Sequence, residues 1–340
     1  MWRVYSVEWA NILGRAHRRY VERAAMSDSV PHIPVLLEAV ELYAAVRPGQ
    51  VWIDCTLGFA GHAAALLAAG AQVYGIDQDA DARHMAAERL KEFGDQLTLI
   101  PGNFGDLSNL MAAHNVGPVD GILADIGVSS FQLDQAHRGF SFREAGPVDM
   151  RMDQSQGETA QEMISRLGVG ELAGILRTFG EEPFAGPVAR AIKQWGDSTG
   201  PLNTATLERA ISDAIPMKVK KKRNHHPATR SFQALRIAVN DELGALERLL
   251  DAAPECVAPG GRVLIITFHS LEDRIVKRRF NKWAGRDYQP VRRGLPMPLN
   301  ERPDFELVSR RAIKANDDEC ARNPRSRSAR LRVAQKLEAA

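Results

Sequence analysis

Apolar residues along the chain follow two rhythms. Short apolar runs at 51–55, 73–77, 97–100 and 121–125 are each too brief for a helix, and three of them end at or beside an acid: Asp54, Asp77 and Asp125. Between them lie stretches at helical spacing. One is the alanine-rich 63–69, closed by Gly70; another is 79–93, where Ala82, Met85, Ala86, Leu90 and Phe93 share a face. Wholly apolar strands alternating with amphipathic helices predict an α/β fold with a parallel sheet covered on both sides.

The alternation stops near residue 136. Up to 227 the pattern predicts helices over 158–167, 170–179, 185–195 and 204–214 and no buried strand, so a helical domain is inserted into the α/β core. A helix over 231–252, a turn at Pro259-Gly260-Gly261 and a strand over 262–268 then resume the core, with a last strand at 329–334. The expected division is 1–29 as an N-terminal extension, 30–135 and 228–340 as the core with a basic C-terminal tail, and 136–227 as the insertion, a substrate-recognition domain. In the extension, Trp9, Ile12, Leu13, Ala16 and Tyr20 recur at helical spacing opposite Arg15, Arg18 and Arg19, and Met26 is read as the natural start.

Composition narrows the classes. With 340 residues, 44% hydrophobic and 25% charged, the chain is ordinary for a water-soluble globular protein, and no apolar run nears the roughly 18 residues of a membrane span. Cys55, Cys256 and Cys320 form no C-x-x-C pair, which suits a reducing cytoplasm and no zinc knuckle. Lys+Arg 44 against Asp+Glu 42 leaves a net charge of only +2, so any attraction to nucleic acid comes from local clusters. Two exist: Lys218, Lys220, Lys221, Lys222 and Arg223, then Arg322, Arg325, Arg327, Arg330 and Arg332. Both suit phosphate contacts, which set affinity and salt dependence more than sequence choice.

The turn after the first strand carries Gly58 and Gly61, where backbone can approach a ligand closely. By itself this spacing signifies tight packing as readily as a binding site. Asp77, ending the next strand, is placed to accept both hydroxyls of a ribose, and Asp125 ends a later strand at the same crevice. The G-x-G-x-x-G spacing of dinucleotide sites is absent, and Asp54, just before the turn, would repel a pyrophosphate while favouring a cation. S-adenosylmethionine, with its sulfonium and amino groups, fits better than NAD, which would make the chain an oxidoreductase.

At this point whole segments become recognisable. His32-Ile33-Pro34-Val35-Leu36-Leu37, Asp54-Cys55-Thr56-Leu57-Gly58, the stretch 125–134, Arg138-Gly139-Phe140-Ser141-Phe142, His226-Pro227-Ala228-Thr229-Arg230 and Phe268-His269-Ser270-Leu271-Glu272-Asp273-Arg274 resemble the ribosomal small-subunit RNA methyltransferase H family, also called MraW. The likeness runs from about His32 to the C-terminus. It implies a class I, Rossmann-like methyltransferase sheet with an inserted all-helical domain. The implied reaction is transfer of a methyl group from S-adenosylmethionine to N4 of a decoding-centre cytidine of 16S rRNA in the small ribosomal subunit, by a cytoplasmic enzyme acting alone or as a homodimer. Carried over by position, the cofactor contacts fall on Ala60, Gly61, His62, Asp77, Phe104, Asp125 and Gln132. The family usually has glycines through the turn; here Phe59-Ala60 precede Gly61, so a Cβ intrudes where backbone approach is tight.

The exocyclic amine of cytosine is a poor nucleophile, its lone pair delocalised into the ring. The Asn/Asp-Pro-Pro-aromatic turn of many amino-methyltransferases is absent, and Asp125, Ser129 and Ser130 stand in its place as candidate catalytic residues; the two serines suit a turn cap equally well. Orientation is worth roughly 7–11 kcal/mol of a barrier against the roughly 10²–10⁴-fold of a general base, so positioning is expected to dominate. Phe140 and Phe142, beside Arg138, are candidates to receive an extruded base, although composition favours them as anchors of the insertion. Arg230, Lys221, Arg325 and Arg327 complete the candidate substrate contacts. His225 and His226 lack acid or cysteine partners at ligand spacing, so no metal is expected.

Overall fold

The computed structural model describes residues 34–199, 202–223, 225–286 and 303–338. The N-terminal extension, with its expected helix and Met26 start, lies outside the described residues. The described residues form two compact units, one within Met1–Gly127 and Ala245–Ala340, the other within Val128–Gly244.

In the first unit, α1 (Leu37–Ala44) precedes β1 (Val51–Asp54), α2 (Gly61–Ala68), β2 (Gln72–Asp77), α3 (Ala80–Leu90), β3 (Leu97–Pro101), α4 (Leu107–Ala113) and β4 (Val119–Asp125). Local chemistry sets several of these bounds. Asp79 caps α3 by accepting from Asp81 N at 3.1 Å, and the central strands β1 and β4 are mostly buried, Trp52, Ile53, Ile122 and Leu123 among them.

The second unit holds α5 (Ser130–Asp134), α6 (Ala160–Arg166), α7 (Val169–Gly180), α8 (Ala185–Thr199), α9 (Thr204–Asp213), α10 (Met217–Lys220) and α11 (Thr229–Asn240). Capping boxes start α5 at Ser129, α6 at Thr159 and α9 at Asn203. Their apolar faces meet in a core that includes Met163, Leu172, Leu176, Val188, Ile192, Leu207 and Leu235. The unit thus extends beyond the 136–227 read from the pattern, because α5 and α11 flank that stretch.

The chain ends with α12 (Glu242–Cys256), β5 (Val257–Thr267), α13 (Ser270–Trp283), β6 (Phe305–Leu307), α14 (Asp317–Arg322) and β7 (Arg330–Lys336). Two expectations are corrected. The helix over 231–252 is two helices, since Asp241 takes a left-handed conformation at φ 48° and ends α11. The turn at Pro259-Gly260-Gly261 does not precede the strand but bulges out of it: β5 starts at Val257, paired with Val119, and its register jumps so that Arg262 pairs with Gly121.

Seven strands make one sheet in the order β3-β2-β1-β4-β5-β7-β6, with β7 antiparallel to both neighbours and β1 to β5 parallel. This is the sheet of class I S-adenosylmethionine-dependent methyltransferases. The order reverses at β1, which pairs with β2 on one side and β4 on the other, so a crevice opens beyond the carboxyl ends of β1 and β4. Asp54 and Asp125 are the last residues of those two strands.

Candidate cofactor and active site

Asp54 is 1% exposed; its Oδ1 accepts from Thr56 N at 3.1 Å, and its Oδ2 has no hydrogen-bond partner. The turn that follows is held from below. Gly58 adopts φ 47°, a left-handed conformation natural to glycine, and its N–H donates to Asp77 Oδ2 at 2.9 Å, while Asp79 N donates to Oδ1 at 2.9 Å. Arg83 bonds the carbonyl of Asp77 at 2.8 Å, so the end of β2 is rigidly placed.

Ala60 is also left-handed, at φ 57°, and forms the entry to α2 without any side-chain cap. For a residue with a Cβ this costs roughly 1–2 kcal/mol. Gly61 is required for packing: a Cβ there would lie 2.2 Å from Cγ of Pro34. His62 is buried, with Nε2 3.0 Å from the carbonyl of Val35. A carbonyl only accepts, so Nε2 carries the proton and Nδ1 faces Asp125 Oδ2 at 3.8 Å.

Asp125 donates its N–H to Thr56 Oγ1 at 2.6 Å and leaves Oδ1 without a hydrogen-bond partner. Glu272, in the first turn of α13 after β5, is wholly buried. Its Oε2 accepts from Phe268 N at 2.8 Å and His269 N at 3.2 Å, and its Oε1 lies 2.9 Å from Nε2 of His269 without hydrogen-bond alignment. Burial drives Asp54, Asp77 and Asp125 toward their neutral forms. It pushes Asp54 up to about 7, with the charge of Asp77 adding to the rise, and Asp77 up to about 6. Asp125 is raised well above the usual carboxylate range, first by burial, then by the charges of Asp54 and Glu272.

The crevice thus carries buried carboxylate oxygens without donors, a left-handed turn and an uncapped helix start. Orphaned anions of this kind are costly unless a cationic or donor-bearing ligand meets them, so these residues fit a sulfonium compound with an amino group and repel a pyrophosphate. Phe104 stands half-buried after β3, where Asn103 bonds Gln78 at 3.0 Å. Among the described residues no cluster of His, Cys, Asp or Glu could hold a metal ion, and no helix is long and apolar enough to cross a membrane.

Several residues singled out in the sequence serve the helical unit's own structure. Ser129 and Gln132 close a reciprocal cap, Gln132 N to Ser129 Oγ at 3.2 Å and Ser129 N to Gln132 Oε1 at 3.0 Å, with Ser130 buried beside them. Arg138 and Phe140 cannot receive a base. Arg138 is 0% exposed and donates to the carbonyls of Arg151 and Met152, and Phe140 is buried in the helical core. Phe142 is partly buried, its ring 4.7 Å from His226 and 4.9 Å from Phe232.

Of the first basic run, Lys218, Lys221 and Lys222 are exposed, but Arg223 is not a phosphate ligand: it donates to buried Glu182 at 2.7 Å. Arg230 bonds the carbonyl of Glu181 at 2.8 Å. In the tail, Arg327 is exposed and Arg325 half-buried, whereas Arg330 and Arg332 both clasp Asp273, each at 2.7 Å. Sequence reasoning missed Glu272. The available signal was a His269-x-x-Glu272 spacing, a cap pattern, at the carboxyl end of a core strand.

The MraW methylase family profile matches residues 29–337. Ribosomal RNA small subunit methyltransferase H of Anaeromyxobacter sp. (strain K) is 48% identical over 313 residues, covering 92% of this chain and 100% of its own. The protein of that name from Symbiobacterium thermophilum is 44% identical over 312 residues, 91% of this chain and 97% of its own. The one from Nitratidesulfovibrio vulgaris (strain DP4) is 46% identical over 311 residues, 90% and 95% respectively. With its sheet order, its acid-lined crevice and this matching span, the chain belongs to the MraW methylase family.

Proposed function

We propose that this methyltransferase transfers a methyl group from S-adenosylmethionine to the exocyclic N4 amine of a decoding-centre cytidine of 16S rRNA, acting on the small ribosomal subunit in the cytoplasm. The observation that carries the cofactor reading is the pair of buried carboxylate oxygens, Asp54 Oδ2 and Asp125 Oδ1, left without donors at the sheet's reversal point. The names of the relatives support ribosomal RNA as substrate.

S-adenosylmethionine, when bound, supplies the electrophilic methyl group. Asp77 would accept the ribose hydroxyls through lone pairs not used by Gly58 N and Asp79 N. Asp54 and Asp125 would hold the cationic end, with His62 Nδ1 lying 3.8 Å from Asp125, and Phe104 would border the adenine. Ala60 and Gly61 would supply backbone at the turn. Gln132 and the two serines remain proposed contacts whose side chains already brace α5 in the case of Ser129 and Gln132. Phe142, Arg230, Lys221, Arg325 and Arg327 are the proposed RNA contacts, the exposed lysines serving the phosphates.

The chain's main task is then to orient the amine against the methyl group, with the proton of N4 passing to solvent or to Asp125. Labelled methyl transfer to small subunits lacking the modification, followed by nucleoside mass spectrometry, is expected to return N4-methylated cytidine. Label on another base or on protein would replace this reading. Asp125→Ala is expected to raise the cofactor KM strongly; collapsed kcat at unchanged KM would instead assign Asp125 to the chemical step.

A further inference from the structure

Between Cys55 and Leu57 the chain changes partners. Cys55 N donates to the carbonyl of Leu123 on β4 at 2.8 Å, and Leu57 N donates to the carbonyl of Ile76 on β2 at 3.0 Å. Thr56 is the residue over which the backbone leaves one neighbour of β1 and joins the other, at the point where the sheet order reverses. Both flanking residues are buried, while Thr56 itself is half-buried. A parallel ladder that continued would give the amide of Asp125 a backbone carbonyl as its acceptor. Here β1 has ended at Asp54, and that amide is met instead by the hydroxyl oxygen of Thr56 at 2.6 Å. The N–H of the same threonine donates to Asp54 Oδ1 at 3.1 Å. One residue thus holds the backbone of one strand-end acid and the side chain of the other.

We propose that Thr56 is a positioning residue for the methyl donor: its hydroxyl stands in for the missing ladder carbonyl and pins the end of β4 to the turn after β1, setting both carboxyls for one cationic ligand. This rests on the S-adenosylmethionine reading above. A main-chain N–H in a sheet is an obligatory donor, so without the hydroxyl the end of β4 must shift to find another acceptor. The carboxyl of Asp125 moves with it, because side chain and amide share one Cα. An acid that must first be brought into place binds its ligand less tightly, since the ordering takes up part of the binding free energy. Thr56 also favours the charged form of Asp54: burial raises that carboxyl, and the N–H and hydroxyl of Thr56 hold the rise back. Valine keeps the branched shape of threonine and lacks the oxygen, whereas serine keeps the oxygen and lacks the methyl group. The two substitutions therefore separate hydrogen bonding from packing.

The test is titration calorimetry of the full chain with S-adenosylmethionine, repeated in an Asp125→Ala background. Thr56→Val is expected to lose about tenfold in affinity, and Thr56→Ser to stay within about threefold of wild type. In turnover the loss should appear in the cofactor KM rather than in kcat, because the hydroxyl places an acid and does not touch the reacting atoms. With the Asp125 carboxyl already gone, Thr56→Val should cost less than about threefold, since the hydroxyl then has little left to aim. An equal loss in both backgrounds overturns the proposal by giving Thr56 a purely structural role. Affinity within about twofold of wild type in Thr56→Val overturns it outright. Should the valine variant fail to fold, Thr56→Ser against Thr56→Ala carries the same comparison, the two differing only in the hydroxyl; equal affinities there overturn the proposal as well. If wild type itself does not bind S-adenosylmethionine, the cofactor reading falls and this inference with it, whereas tight binding by wild type and Thr56→Val alike removes this inference alone.

Discussion

Acids are buried in both units, but only those at the carboxyl ends of the sheet go without an arginine among the described residues; elsewhere, as at Asp273 with Arg330 and Arg332, they are paired. In the helical unit buried Glu182 is matched to Arg223 at 2.7 Å and buried Glu242 to Arg236 through two bonds of 2.7 and 2.8 Å, and half-buried Asp149 is held by Arg151 through bonds of 2.8 and 3.0 Å. At the carboxyl ends of the sheet, Asp54, Asp125 and Glu272 have no arginine partner among the described residues, Glu272 facing His269 instead. Paired acids brace the fold, whereas unpaired ones raise its free energy until a ligand arrives. The difference marks the carboxyl end of the sheet as the candidate binding site, since an arginine there would have been the simpler way to stabilise it.

The comparison can be broken first at its most costly point. Glu182→Ala leaves the buried Arg223 charge alone and is expected to destabilise the protein by about 3–5 kcal/mol, read from denaturant unfolding. A change under about 1 kcal/mol would mean that the pair is no brace. Asp54→Asn is the opposite case. Losing a charged contact worth about 1.5–3 kcal/mol should weaken cofactor binding about 10–100-fold, while the ligand-free protein should melt no lower than wild type. A lower melting point would show that Asp54, too, is structural.

Acidity sharpens the same contrast. Asp54 is raised from its ordinary 3.8 to about 7 by burial, so the folded state binds its proton more tightly than the unfolded chain does. Its contribution is fully present below the ordinary value and lost as pH rises through about 7. Ligand-free protein should therefore lose stability between pH 4 and 7 from this group, and cofactor should restore more of it at the upper end. Asp149 runs the other way. Burial works against ionisation there, but the Arg151 contacts outweigh it and hold the carboxyl below its usual range, so its contribution exists above that range and is lost on acidification. Thermal melts should show the slope between pH 4 and 7 vanish in Asp54→Asn, and the loss of stability below about pH 4 shrink in Asp149→Asn.

Smaller effects test the turn. Gly61→Ala drives a Cβ against Pro34 and should cost about 1–3 kcal/mol, with cofactor affinity lost only in proportion to the backbone shift. Ala60→Gly removes the cost of a left-handed alanine and should gain up to about 1 kcal/mol. A melt that falls would mean that the Cβ of Ala60, which is fully buried, contributes more by packing than its backbone costs.

Much of this was legible along the chain. Apolar runs marked β1 to β4, and their terminal acids fell where the crevice lies, because a strand's end and its last side chain are local facts. The break of α11 from α12 was not legible, since the left-handed residue that makes it, Asp241, is neither glycine nor proline. Nor was the role of Gly61, whose missing Cβ makes room for Pro34, a residue far back in the chain. Phe140, beside Arg138, read as a base-binding ring or, somewhat more readily by composition, as an anchor; burial in the helical core decided for structure.

The sequence by itself determined the alternation of strand and helix, the helical insertion and the acids that close the core strands, because each follows from the spacing of neighbouring residues. Only the tertiary structure decided which acids would be neutralised. Arg223 reaches Glu182 across 41 residues, and Arg330 and Arg332 reach Asp273 across 57 and 59. Charge pairing inside a protein is set by which distant groups share a desolvated space, and no local pattern carries that information.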